Sequence, residues 1–219
     1  MTNDSLQDRG FTRLVIVRHG ETTGNSSIRY HGRSNVPLSQ LGREQMRKVR
    51  RALVRRFGQC PLKPAFASPL SRARESAEII IGREPILIEG FVEVDFGDFE
   101  GLTAGEIRER YPAEFARWDR NRLDPEYAYP RGESRAAFVE RVHHGLAQMI
   151  TVIDEVQGRR AGAALVVAHR GVIRAIIQRL SNVTPVIELA SIHILIRNPK
   201  TSEWRTELID DVSHLEAAK

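Results

Sequence analysis

The chain predicts an α/β fold, and two observations carry that expectation. Short apolar runs of strand length alternate with longer stretches whose apolar residues recur at helical spacing. Two of the runs also end alike, as Val15-Ile16-Val17-Arg18-His19-Gly20 and as Val166-Val167-Ala168-His169-Arg170-Gly171, each followed by a loop or helix. In open α/β sheets ligands bind beyond the carboxyl ends of strands, so the two histidines are expected to converge there.

The elements follow in order. Residues 14–17 read as a fully buried strand, followed by a loop through Pro37 and a helix over 39–57 with Ser39 as its N-cap. A short strand over 65–67 leads into Ser68-Pro69-Leu70-Ser71 and a helix through 81. Residues 86–88 are a third strand candidate, and 91–96 an extended segment of the loop layer. The stretch 102–121, rich in Arg, Glu and aromatic residues, predicts one or two short helices broken at Pro112. The wider segment 102–131 is expected to be a helical insertion over the site. A long amphipathic helix over 132–156, a buried strand over 163–168, a helix over 172–180 and strands over 192–197 and 204–209 complete the pattern. No linker interrupts it, so 1–219 is expected to be a single domain, with 1–12 and 211–219 flexible.

Composition narrows the function classes. A hydrophobic fraction of 41% with 28% charged residues is ordinary for a soluble protein. No apolar run approaches a membrane span, and residues 1–10 are polar and carry acids, unlike a signal peptide. A cytoplasmic location and no membrane partner are expected. Cys60 stands alone, which rules out an internal disulfide, and no motif surrounds it to make it a nucleophile. The net charge of +5 and the basic run over 43–56 raise the question of nucleic acid. Met46, Val49, Leu53 and Phe57 recur at helical spacing through that run, so its basic residues fall on a solvated face and no nucleic-acid partner is expected.

The chemistry concentrates at Arg18-His19-Gly20-Glu21-Thr22. A cation and an imidazole at a sheet edge, with a glycine that lets backbone approach a ligand, suit a phosphate group. An imidazole there can attack phosphorus directly. His143 and His144 have no acid or cysteine partners at ligand spacing and read as surface or packing residues.

Further segments extend the pattern: Asn25, Gly32-Arg33, Pro37-Leu38-Ser39-Gln40-Leu41-Gly42, Ala67-Ser68-Pro69-Leu70-Ser71-Arg72-Ala73, Glu93-Val94-Asp95-Phe96-Gly97 with Glu100-Gly101, and Val166-Val167-Ala168-His169. In this order they resemble the histidine phosphatase superfamily, the phosphoglycerate mutase-like proteins, over residues 14 to about 180. The resemblance implies a three-layer sandwich with a mostly parallel central sheet flanked by helices. It implies His19 as a nucleophile that forms a phosphohistidine, with Arg18, Asn25, Arg72 and His169 lining the phosphate pocket. It assigns Glu93 as the proton donor, on motif position; Asp95 and Glu100 are its rivals in the chain. Neighbouring arginines should hold His19 neutral, and its other ring nitrogen needs an acceptor, expected to be a backbone carbonyl.

Possible substrate contacts are Thr22, Tyr30, His31, Arg33 and Arg170. The chain departs from the family pattern at Arg170, where many relatives have Gly, and at Asn35, where an acid often follows Gly-Arg. Arg170 either reaches a second anionic group or caps the exposed side of the next helix. The expected activity is a metal-independent phosphomonoesterase without a cofactor, acting on small phosphorylated metabolites. The alternatives are a cofactor-dependent phosphoglycerate mutase, which the segment 93–101 resembles less, and a non-catalytic phospholigand-binding protein.

Overall fold

A computed structural model describes residues 11–58, 62–121, 124–158 and 161–216. Its centre is strand β1 (Thr12–Arg18), which is buried on both sides. Because side chains alternate along a strand, Leu14 and Ile16 enter one apolar cluster while Val15 and Val17 enter another. A strand apolar on both faces needs cover on both, and that requirement produces the layers.

Helices α1 (Gln40–Phe57) and α2 (Ser71–Ile81) cover one face of the sheet, and α5 (Arg135–Gln157) and α6 (Arg170–Ser181) cover the other. Between α2 and α5 lie the short helices α3 (Ala104–Arg110) and α4 (Pro112–Arg120). The sheet also contains β2 (Ala65–Ala67), β3 (Ile86–Leu87), β4 (Gly162–Ala168), β5 (Ile192–Arg197) and β6 (Trp204–Asp211). Its six strands run in the order β3-β2-β4-β1-β5-β6. The first four are parallel to one another, while β5 and β6 pair antiparallel at one edge. This is the predicted three-layer, mostly parallel architecture.

Local chemistry explains most boundaries. Ser39 Oγ accepts from the Gly42 backbone N–H at 3.0 Å, so α1 begins where its N-cap was expected. Met46, Val49 and Leu53 are buried, while the basic residues of α1 lie outside; Arg43 pairs with Glu75 at 2.6 Å and Arg56 pairs with Glu207. Pro112 is the first residue of α4, so the predicted break is a new helix start rather than a kink. Residues 89–91 and 97–99 form 3-10 turns outside the sheet, within or beside the segment expected to be extended.

Two helix starts differ from expectation. Helix α5 starts at Arg135 rather than near Gly132, because Ser134 caps it by accepting from Ala137 N–H at 3.1 Å. Gly132 is packed so closely that a Cβ there would lie 2.5 Å from the Asp95 carbonyl oxygen. Helix α6 starts at Arg170, directly after His169.

Residues 1–10, 217–219 and Cys60 lie outside the described residues. Order extends further into both ends than expected. Thr12 pairs with Gly162 and Arg197 in the sheet, and the 3-10 turn Ser213–Leu215 is tied to α1 by Lys48 Nζ donating to the Leu215 carbonyl at 2.8 Å. Among the described residues no helix is long and apolar enough to cross a membrane.

The loop after β1 rests directly on α1. The Glu21 carbonyl accepts from Ser39 N–H at 2.9 Å, and a Cβ on Gly42 would sit 2.0 Å from that same oxygen. Gly42→Ala is therefore expected to cost about 1–3 kcal/mol in urea unfolding, since backbone and not a flexible tip must move. Gly105→Ala in α3, where the nearest atom is 3.8 Å away, should leave stability unchanged or raise it by up to about 1 kcal/mol.

Candidate active site

The two strand ends converge because β1 and β4 pair in parallel with Arg18 opposite Ala168. His19 and His169 are the next residues on each strand, and His19 N–H donates to the Ala168 carbonyl at 3.1 Å. Helix α1 then leaves toward one face of the sheet and α6 toward the other. A crevice opens between adjacent strands whose helices diverge in this way, and both histidines stand in it. Their ring centroids are 5.1 Å apart at an interplanar angle of 61°, and both rings are buried.

Each ring is fixed by its second nitrogen. His19 Nδ1 lies 2.8 Å from the Gly20 carbonyl oxygen. A carbonyl only accepts, so Nδ1 carries the proton and Nε2 keeps its lone pair, as the sequence led us to expect. His169 Nε2 lies 2.8 Å from Ser68 Oγ, and that hydroxyl already accepts from Leu70 N–H at 3.4 Å. His169 Nδ1, the other ring nitrogen, is a buried atom with no hydrogen-bond partner among the described residues. Burial pushes both imidazoles well below the usual histidine range, and the adjacent charges of Arg72 and Arg18 push them further. Both rings are neutral at physiological pH.

Arg72, the first full turn of α2, is completely buried. Its Nη1 donates to the Ser34 carbonyl at 2.7 Å, and its Nη2 donates to the carbonyls of His31 at 3.0 Å and Gly32 at 2.8 Å. Arg18 Nη1 donates to the Ile187 carbonyl at 3.0 Å. Carbonyl acceptors hold both guanidiniums without neutralising them, and each retains a buried Nε without a partner. Burial pushes both arginines down to about 10, with Arg170 adding to the effect on Arg18, so both stay cationic at neutral pH. Two cations with open Nε donors thus stand with the paired imidazoles at the strand ends, which is the environment an anion fills.

Glu93 is buried at the same crevice. Its Oε1 accepts from Val94 N–H at 3.0 Å and its Oε2 from Gly171 N–H at 2.9 Å, at the first turn of α6. Its charge acts on both Arg18 and Arg72. The two rival carboxylates have structural employment instead. Glu100 accepts from Gly32 N–H, Arg33 N–H, Ser34 Oγ and Phe96 N–H, and so clamps the loop that holds Arg72. Asp95 accepts from Gly97 N–H at 2.9 Å and faces Arg33 Nε at 3.8 Å.

The remaining expected residues separate into loop framework and rim. Asn25 is exposed in a left-handed turn, φ 57°, and stays outside the buried cluster. Thr22 is buried, with its Oγ1 2.7 Å from Ser26 Oγ. His31 Nε2 donates to the Gly24 carbonyl at 2.6 Å, which closes the loop after His19. Tyr30 packs edge-on against Phe96 and Trp118, joining that loop to α4. Arg29 joins it to α3 through Glu106 at 2.6 Å. The segment 102–131 therefore docks on the loop beside the site. Arg33 and Arg170 are exposed. Asn35 Oδ1 accepts from Ser71 N–H at 2.8 Å and so caps the start of α2. Among the described residues no group of three His, Cys, Asp or Glu is placed to hold a metal ion, and His144 Nε2 lies 3.1 Å from Gln148.

Several supporting residues were not singled out from the sequence. Arg141 binds Glu133 with both arms, at 2.7 and 2.8 Å, and donates to the carbonyls of Gly90, Val92 and Glu93. It thereby fixes the backbone under Glu93. The available signal was its place on the buried stripe of α5, between Phe138 and Val142. The 187–191 loop holds the end of β1, Ile187 through the Arg18 side chain, Ser191 through Arg18 N–H and Ala190 through the His19 carbonyl, and its sequence carries no motif that announces this.

Comparison with known proteins agrees with this geometry. The chain is 29% identical over 209 residues to a metal-independent phosphoserine phosphatase of Arabidopsis thaliana, covering 93% of this chain and 83% of that one. It is 30% identical over 212 residues to a 2,3-bisphosphoglycerate-dependent phosphoglycerate mutase of Rhizobium etli, covering 93% and 94%. Among solved structures it resembles a mycobacterial glucosyl-3-phosphoglycerate phosphatase at a TM-score of 0.72 and 26% identity, covering 91% and 99%. Against one Mycobacterium tuberculosis relative, a bifunctional protein, the chain spans 41% of the length. Residues 14–208 match the histidine phosphatase superfamily, branch 1, and the chain belongs to that family.

Proposed function

We propose that the chain hydrolyses phosphomonoesters of small molecules through a phosphohistidine on His19, without a metal ion. The observation that supports this most strongly is the pairing of a neutral His19, its Nδ1 proton held by the Gly20 carbonyl, with buried Nε donors on Arg18 and Arg72 that have no hydrogen-bond partner among the described residues. Phosphoryl transfer spreads charge over three equatorial oxygens, and preorganised cations and N–H groups meet it there. His19 Nε2 forms a bond to phosphorus as the bond to the ester oxygen breaks, and Glu93 delivers a proton to that oxygen. Water then attacks the phosphohistidine, Glu93 takes up its proton, and the Nε2–phosphorus bond breaks. The relatives named phosphatases favour water as the acceptor; the relative named a mutase favours a sugar acid, with the same first step.

With chelator present, the protein should release phosphate from p-nitrophenyl phosphate and from alkyl phosphates, and His19→Ala should lower kcat by at least about a thousandfold. Dependence on added metal would overturn metal independence. Phosphoryl exchange that needs a bisphosphorylated primer, with little phosphate release, would establish the mutase reading. Glu93→Gln should lose about a hundredfold or more on alkyl phosphates and distinctly less on p-nitrophenyl phosphate, whose leaving group departs without a proton. Equal losses on both would remove Glu93 as proton donor.

The lowered histidine values set a further expectation. The ring resonances of His19 and His169 should show no titration in NMR between about pH 8 and pH 6. Because the unfolded chain takes up protons that the folded rings refuse, stability should fall as pH drops below about 6.5. A midpoint near the ordinary histidine value for His19 would contradict the neutral-nucleophile reading.

A further inference from the structure

Three arginines adjoin the crevice on the Glu93 side. Arg170 and Arg174 stand four residues apart on α6, one turn on the same side of that helix, and Arg135 is the first residue of α5. Their fields overlap. Arg170 acts on Arg18 and on Arg174, and Arg174 is also affected by Arg135 and by Glu93. Arg170 directly follows His169, Gly171 N–H holds Glu93, and Phe138, three residues after Arg135, packs against Gly171, so the starts of α5 and α6 that carry these arginines meet beside Glu93.

Neighbouring cations are matched with acids, and these are not. Arg141 has Glu133, Arg131 has Asp98 and Arg33 has Asp95. Among the described residues Arg135, Arg170 and Arg174 have no ion pair, and the Nε atoms of Arg135 and Arg174 are buried without a hydrogen-bond partner. The acid that faces them is Glu93, whose two oxygens already accept from Val94 and Gly171. Glu188 also acts electrostatically on Arg18, and Arg135 acts on Tyr127 and Tyr129. Three like charges held close together with open donors raise the free energy of the empty site, and an anion placed among them lowers it.

We propose that Arg170, Arg174 and Arg135 form a second anion-binding subsite, so that the substrate is a phosphomonoester carrying a further anionic group, carboxylate or phosphate. This rests on the phosphate pocket at His19 described above. Arg170 is exposed while Arg174 and Arg135 are half-buried, which puts the subsite at the mouth of the crevice, where screening by water keeps its effect moderate. The departure from glycine after the second histidine thus has a chemical consequence. A fork at that position reads the part of the substrate beyond the ester oxygen.

The test is calorimetric binding to His19→Ala protein, in which turnover does not interfere, using 3-phosphoglycerate, glycerol 1,3-bisphosphate and glycerol 3-phosphate. At least one of the first two should bind about tenfold or more tightly than glycerol 3-phosphate, and which one does identifies the second anion as carboxylate or phosphate. Adding Arg170→Gln and Arg174→Gln should reduce that ratio to within about twofold, and Arg174→Lys in place of Arg174→Gln should restore part of it. Arg170→Gln alone, at an exposed position that cannot unfold the chain, should lower the ratio several-fold. Equal affinity for all three esters, or a preference that survives both substitutions, overturns the subsite while leaving the phosphate pocket intact. Failure of all three to bind overturns the pocket and the subsite together.

Discussion

The parallel register of β1 against β4 is the constraint on which the rest of the molecule depends. With Arg18 opposite Ala168, the first residues beyond both strands are histidines, and the hydrogen bond from His19 N–H to the Ala168 carbonyl locks the two ends together. A slip of one residue would turn every side chain of β1 to the opposite face. Leu14 and Ile16 would then meet α1 and α2, Val15 and Val17 would meet α5 and α6, and His19 would leave its neighbour. Core packing on two faces therefore enforces the spacing of a site that lies outside the core.

The site itself sets two unfavourable requirements against each other. Burying guanidinium groups is costly, and so is burying an imidazole among them. The fold meets the first with carbonyls: those of Ser34, His31 and Gly32 hold Arg72, and that of Ile187 holds Arg18. Carbonyl acceptors stabilise a cation without cancelling its charge, as a carboxylate would. Burial, and then the uncancelled charge, depress His19, whose proton is confined to Nδ1 by the Gly20 carbonyl. The same arrangement keeps His19 unprotonated and keeps the pocket attractive to an anion.

How far this was legible in the sequence depended on whether the signal was local. Strands β1 and β4 and helices α1 and α2 could be read nearly to the residue, because apolar runs, Ser39 and the Ser68–Ser71 turn act within a few positions. His19 and His169 could be paired because both end apolar strands. The start of α5 could not be placed from its periodicity: Ser134 caps it so that it begins three residues beyond the expected start, and Gly132 is held outside the helix by packing against Asp95, far away in the chain. Glu93 could be ranked above Asp95 and Glu100 only by resemblance; the distinction is three-dimensional, since Glu100 binds the 32–34 loop while Glu93 meets the start of α6. Asn25, also carried over by resemblance, stands exposed in this structure. Arg141 lay within a readable apolar stripe, but its acceptors are carbonyls, and a carbonyl at 90–93 has no sequence signature.

Helix α6 joins reaction and selectivity in one element. Its first turn begins directly at His169, its Gly171 N–H holds the carboxylate of Glu93, and its outward side carries Arg170 and Arg174. Gly171 is bound to be small, because a Cβ there would lie 2.5 Å from Glu93 Oε1. Arg170, one residue earlier and exposed, has no such restriction. The helix therefore combines positions that the chemistry fixes with neighbours that are free to vary. A change at Arg170 or Arg174 alters the field at the mouth of the crevice while the register, the imidazoles and the Glu93 contact stay as they are. On the proposed reading, substrate preference in such a site is adjustable one side chain at a time, because Arg170 and Arg174 are held by the same rigid helix whose Gly171 N–H positions Glu93.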